Sequence, residues 1–256
     1  MIFSWLRKRR RRKWTSRPFP EAWRAHIADN VPLWKGLTPE EKAKLAGVVQ
    51  VLLPEKTWEG CGGLEVTDEM RVTIAAQASL LVLGFSPTYY FDEVQSIVVY
   101  PGAYKHPREW ERDSGVLGEA WQGGPIVLSW DSVVQQARNP QDGFNLVLHE
   151  FAHHLDSLNG DMDGVPPLVG GKTIDEWHRV TQEAFERLQE RTHARKVTVL
   201  DSYGATNPEE FFAVASECFF ERAIKLRARQ PELYRVLSGF YNQDPAAREE
   251  GRRRER

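Results

Sequence analysis

His149-Glu150-Phe151-Ala152-His153 is the stretch that most narrows what this chain can become. Two histidines four residues apart share one face if the segment is helical. The flanks favour a helix: residues 142–158 keep an apolar periodicity and stop at Asn159-Gly160, a good helix terminator. Counting about 100° per residue from His149, His153 falls near 40° and Asp156 near −20°. Phe144, Val147, Phe151, Leu155 and Leu158 fall between about 160° and 240° on the same wheel. The histidines therefore occupy a polar face opposite the apolar stripe.

Imidazoles at that spacing can both reach one zinc ion at about 2.0–2.1 Å. Glu150 lies about 100° round the helix, beside such an ion without pointing at it. A carboxylate there can act as general base toward zinc-bound water, whose pKa the metal lowers toward about 7. Asn145 and Asp156 lie on the histidine face beyond each end of the pair. Either is a candidate to fix an imidazole by accepting its second N–H. His154, near 140° on the wheel, reads as a packed or surface histidine.

Two ligands leave a tetrahedral site incomplete. Asn207-Pro208-Glu209-Glu210 opens a further helix, with Asn207 as N-cap and Pro208 in the first helical position. Glu210, at the end of a loop, is the leading candidate for third ligand. The same position suits the acid of a capping box, so a purely structural role competes. Glu209 and Glu217 are rivals as ligands. Glu217, two turns beyond Glu210 on nearly the same face, also suits a supporting role behind a ligand.

Elsewhere, Thr38-Pro39-Glu40-Glu41 opens a helix expected to run to about Leu53, and Val72–Leu83 is another apolar stretch. Ser96–Tyr100 and Gly124–Trp130 read as strands, the second at a sheet edge because Pro125 cannot donate to a ladder. Asn159-Gly160-Asp161-Met162-Asp163-Gly164 has a superficial likeness to a calcium loop but lacks its full ligand spacing and terminal Glu, and reads as a turn. The net charge of −2 hides an asymmetry: all seven residues from Arg7 to Lys13 are basic, so the body is acidic. Residues 1–17 are expected to be a flexible basic arm, 18–245 one domain whose part before about residue 90 is helical, and 246–256 a loose charged tail. Nucleic acid or an anionic membrane could meet Arg7–Lys13, but a solvated arm is the favoured reading. Cys61 and Cys218 make a poor disulfide framework for 256 residues. With no apolar run long enough to span a bilayer and no charge-then-apolar leader pattern, the expected compartment is the cytoplasm.

Several segments in order resemble the Mlc titration factor A family of zinc metallopeptidases: GPIVLSW at 124–130, GFNLVLHEFAH at 143–153, Leu155-Asp156 with Asn159-Gly160-Asp161, YGATNPEEFFAVASE at 203–217 and FYNQDP at 240–245. The Tyr203–Ala213 string is also similar to the catalytic domain of anthrax lethal factor, a gluzincin. The resemblance implies an α+β, mainly helical, zincin-like domain with a small β-sheet. It implies one zinc per chain on His149, His153 and Glu210, with Glu150 as general base and Tyr203 stabilising the oxyanion. The activity implied is aminopeptidase-like hydrolysis of peptide substrates, with possible binding of a Mlc-type repressor of glucose-uptake genes as a further implication. The alternative is a regulatory protein, weakly catalytic or not at all, that sequesters a transcription factor. Ile126, Val127 and Leu128 are the expected strand against which an extended peptide aligns.

Overall fold

The computed structural model describes residues 2–102, 118–120, 124–138, 142–168 and 171–254. The first helices are α1 (Ile2–Thr15), α2 (Glu21–Asn30) and α3 (Pro39–Glu55), followed by β1 (Thr57–Gly60) and α4 (Asp68–Leu81). Then come β2 (Ser96–Tyr100), β3 (Gly118–Ala120), β4 (Ile126–Ser129), α5 (Trp130–Ala137) and α6 (Leu146–Asp156). The rest is helical: α7 (Gly171–His193), α8 (Pro208–Glu221), α9 (Ala223–Arg229), α10 (Pro231–Tyr241) and α11 (Pro245–Arg254). The class is α+β and mainly helical, as expected. Among the described residues no helix is long and apolar enough to cross a membrane.

Helix α3 begins where its sequence signals place it. Thr38 accepts from the Glu41 N–H and the Glu41 side chain accepts from the Thr38 N–H, a complete capping box. Helix α4 is buried from Val72 to Leu81, including Thr73, Gln77 and Ser79. A helix apolar nearly all round belongs at the centre, and α4 packs on α2, α3 and α6.

The sheet has the order β1-β2-β4-β3, with β1, β2 and β4 parallel and β3 antiparallel to β4. Here two expectations are corrected. The segment 57–60, which precedes a glycine-rich break, forms β1. Strand β4 is internal, not an edge: Ile126, Val127 and Leu128 pair with β2 on one side and β3 on the other. Pro125 precedes the first paired residue, so its missing N–H costs the ladder nothing. With both sides taken, Ile126–Leu128 has no backbone edge left for an added peptide; among the described residues the outer edge on that side is β3, which packs against α6.

Both ends of the chain are helical where loose segments are expected. In α1 the Arg11 guanidinium, 11% exposed, bonds Glu55 (Nε to Oε2, 3.0 Å) and Asp92 and lies over the Tyr90 ring. Those acids offset the repulsion along the basic run, and Arg and Lys are good helix formers. Helix α11 starts with Asp244 Oδ1 accepting from the Ala247 N–H (3.0 Å), and Arg248 Nη2 meets Glu41 at 2.5 Å.

The turn after α6 joins it to the start of α8. Asn159 and Asp163 accept from the N–H groups two residues on (both 3.1 Å), which makes the segment a pair of side-chain-closed turns. Gly164 sits at φ +80°, donates its N–H to Asp156 Oδ2 (2.8 Å) and accepts from Trp177 Nε1 (3.0 Å). A Cβ there would stand 2.5 Å from the Pro208 carbonyl oxygen. His154 is packed, as read from the wheel. Its Nε2 lies 2.9 Å from the Tyr89 hydroxyl, its ring is parallel to Tyr89, and burial pushes its pKa down to about 4.

Two outcomes follow. Gly164→Ala should destabilise by about 1–3 kcal/mol through a left-handed alanine and a backbone clash, lowering Tm by several degrees in calorimetry. His154 is neutral when folded, whereas the unfolded chain takes up its proton near the ordinary value of 6.5. Stability should therefore fall as pH drops from about 6.5 and level off below about 4, by an order of 3 kcal/mol. His154→Phe should flatten that part of a urea-melt pH series; an unchanged slope would assign it to other groups.

Candidate metal centre

Helices α6 and α8 lie against each other and supply the site. Val147, Phe151 and Leu155 are buried on the inner face of α6, with Phe151 edge-on to Phe91 at 4.8 Å. Asn145 caps α6 by accepting from the Leu148 N–H (3.0 Å). Its own N–H donates to Glu217 Oε2 (2.5 Å), and its amide donates to Glu221 Oε1 (2.9 Å). One asparagine thus starts the histidine helix and ties it to α8.

At the start of α8, Asn207 Oδ1 accepts from the Glu210 N–H at 2.8 Å. The Glu210 carboxylate meets the histidines: Oε2 is 3.1 Å from His149 Nε2 and 3.4 Å from His153 Nε2. The two Nε2 atoms are 3.1 Å apart. Four ligands at about 2.0–2.1 Å from a tetrahedral zinc stand about 3.3–3.4 Å from one another. The triangle of donor atoms is therefore the right size, to a few tenths of an ångström, for one ion to be held by all three. The chemistry of the atoms also fits: Glu210 Oε2 is buried and has no hydrogen-bond donor of good geometry. His149, His153 and Glu210 could hold a metal ion.

Glu217 supports the site from behind. Its Oε1 lies 2.6 Å from His149 Nδ1, so the ring donates there and keeps Nε2 toward Glu210. Burial works against a charged His149, but the adjoining Glu217 carboxylate outweighs it and raises the imidazole pKa well above its ordinary value. Burial likewise opposes ionisation of Glu210, yet the adjoining imidazoles of His149 and His153 hold its pKa well below the usual carboxylate range. Glu209 points elsewhere, accepting from the Asn207 amide at 3.0 Å.

Glu150 is 4% exposed and near enough for its charge to act on His149. Tyr203 stands on a short 3-10 turn, Ser202–Ala205, where Asp201 Oδ1 accepts its N–H (2.8 Å). Its ring centroid is 6.1 Å from that of His149, and the residue is 53% exposed.

Asn145 and Asp156 do not do what the sequence suggested. Neither accepts an imidazole N–H: Asn145 turns its oxygen to the α6 cap, and Asp156 bonds Gly164 through Oδ2 while its buried Oδ1 and the buried His153 Nδ1 each stand without a hydrogen-bond partner among the described residues. Asp156 is fully buried, which raises its pKa to about 6. Of the three supporting candidates, only Glu217 touches a histidine. Glu221 was missed altogether. It is buried, its pKa is raised well above normal by that burial, and it holds Asn145. The available signal is a pair of acids four apart, Glu217 and Glu221, in the mostly apolar part of the helix beyond Glu210.

The chain is 37% identical to Mlc titration factor A of Pectobacterium atrosepticum, covering 89% of this chain and 88% of that protein. It is 34% identical to Mlc titration factor A of Yersinia pestis, covering 87% and 85%. An uncharacterized protein of Synechocystis is 36% identical over 90% of this chain and 86% of its own. Residues 5–242 match the family described as glucose-regulated metallo-peptidase M90. Nearly the whole chain is covered, helices α6 and α8 included, and the protein is a member of the M90 metallopeptidase family.

Proposed function

We propose that this chain is a zinc-dependent, aminopeptidase-like peptidase whose metal is held by His149, His153 and Glu210. The observation that carries the reading is the convergence of the three donor atoms within 3.1–3.4 Å of one another, with Glu150 next to His149 on α6. When bound, zinc supplies Lewis acidity toward a peptide carbonyl and lowers the pKa of water.

The protein's own groups do the rest. Glu150 takes a proton from the attacking water and later gives it to the leaving amine. Tyr203, a neutral phenol, donates to the oxygen on which negative charge grows, an interaction stronger in the transition state than in the substrate. Glu217 keeps the His149 ring in the right tautomer and orientation. The outer edge of β3 takes over from β4 as the backbone against which an extended substrate aligns. Preference for a free amino terminus rests on the family resemblance and is read by comparing short peptides with free and blocked amino ends. A cytoplasmic setting stays part of this proposal.

A second reading draws on the relatives named Mlc titration factor A. In it the chain binds a Mlc-type repressor, and the metal centre is a scaffold. Glu150→Gln separates the two readings. It should retain about one zinc per chain and lose peptide cleavage by about 10²–10⁴-fold; wild-type protein fully loaded with zinc that cleaves no peptide would leave only the binding role. Glu210→Ala should lose most of its zinc in elemental analysis. Tyr203→Phe should lower kcat by about a hundredfold with KM little changed, and an effect confined to KM would remove the tyrosine from the oxyanion role.

A further inference from the structure

Helix α1 carries a surface that the metal centre does not use. Residues 1–20 contain no acid, and the helix is docked by one edge. Arg11 bonds Glu55 and Asp92, and Arg7 Nη1 lies 3.3 Å from Asp92. Measured at about 100° per residue from Arg11, Arg9, Arg10, Arg12 and Lys13 all lie about 100° or more away, on the outward side. All four are exposed, and among the described residues none has an ion-pair partner. Trp5 and Leu6 share that outward side and are 59% and 48% exposed.

We propose that the outward face of α1 docks on an anionic phospholipid surface. Cations next to an exposed tryptophan and leucine match the two layers of a bilayer interface: phosphates for the charges, and the headgroup–acyl boundary for the rings and methyls. A nucleic acid would satisfy the cations but leave the apolar pair in water. The Arg11 contacts order the helix beforehand, so docking need not bear the whole cost of folding it. The charge distribution supplies orientation. The chain is net −2 although seven basic residues are gathered at 7–13, so an anionic surface attracts this face and repels the acidic remainder.

Flotation of the full chain with neutral phosphatidylcholine vesicles, and with vesicles also containing phosphatidylserine, tests the proposal at low and high salt. Binding should require the anionic lipid and weaken with salt. Each cation removed should cost about fivefold, so the variant R9Q/R12Q/K13Q should bind about a hundredfold more weakly. Glutamine keeps helix propensity, and circular dichroism checks that the fold is retained. Trp5→Ala with Leu6→Ala should weaken binding further, by a factor that salt does not change. The proposal is overturned if wild type ignores anionic vesicles, or if the glutamine variant binds them as wild type does. It is equally overturned if duplex DNA binds more tightly than vesicles and is indifferent to the Trp5 and Leu6 changes.

Discussion

The structure depends on how α6 and α8 bury two carboxylates between them. A buried carboxylate costs several kcal/mol unless it is bonded and paired. Glu217 meets that condition with an N–H from Asn145 and one from His149. Glu221, which burial pushes toward its neutral form, meets it through the Asn145 amide. The Asn145 backbone and side chain therefore do three things at once: they cap α6, bind Glu217 and bind Glu221. The register of α6 along α8 is set by those bonds, and the register brings His149 and His153 level with Glu210. At the other end of α6, Asp156 holds Gly164, which lies against Pro208 where α8 begins. The two helices are pinned at both ends, and the donor triangle lies between the pins.

Much of this was legible in the sequence because it is local. The i, i+4 histidines, the Asn207-Pro208 helix start and the apolar stripe through Phe151 all follow from periodicity and capping, which act within a few residues. The choice among Glu209, Glu210 and Glu217 was not local. Asn207 places all three on α8, but only the packing of α6 decides which faces the imidazoles, and the family resemblance supplied what periodicity could not. Tyr203 likewise came from resemblance; nothing in its own turn marks it.

The failures have physical causes of the same kind. Pro125 points to an edge for β4 only if it lies inside the ladder, whereas pairing starts one residue later. Segment 57–60 has no strong strand pattern and is a strand because β2 offers it a partner. Asp156 is placed on the histidine side by the wheel, but packing directs one of its oxygens to a turn eight residues on and brings no imidazole N–H to the other. Repulsion along the basic run argues for a loose segment; Glu55 and Asp92, dozens of residues away, reverse that balance at Arg11 and Arg7. Charge density at 246–256 argues for a loose tail, but Asp244-Pro245 carries the same start signal as Asn207-Pro208 and opens helix α11.

The arrangement also explains why three carboxylates can stand around one pair of imidazoles. Glu150, Glu210 and Glu217 all act on His149. Two unit charges about 4 Å apart interact by about 4 kcal/mol at an effective dielectric constant near 20. Acids gathered around one imidazole repel one another in the same way. Hydrogen bonds from Asn145 and His149 to Glu217 remove part of that repulsion, and a dication among the donor atoms would remove far more. The acids that repel one another are thus the ones through which the proposed site would attract a cation. Glu217 moderates the strain without competing for the ion, because the imidazole of His149 stands between them. In this sense the α6–α8 contact does two jobs with one set of charges: it fixes helix register through bonded acids, and it leaves one acid, Glu210, turned inward with an oxygen free of protein donors.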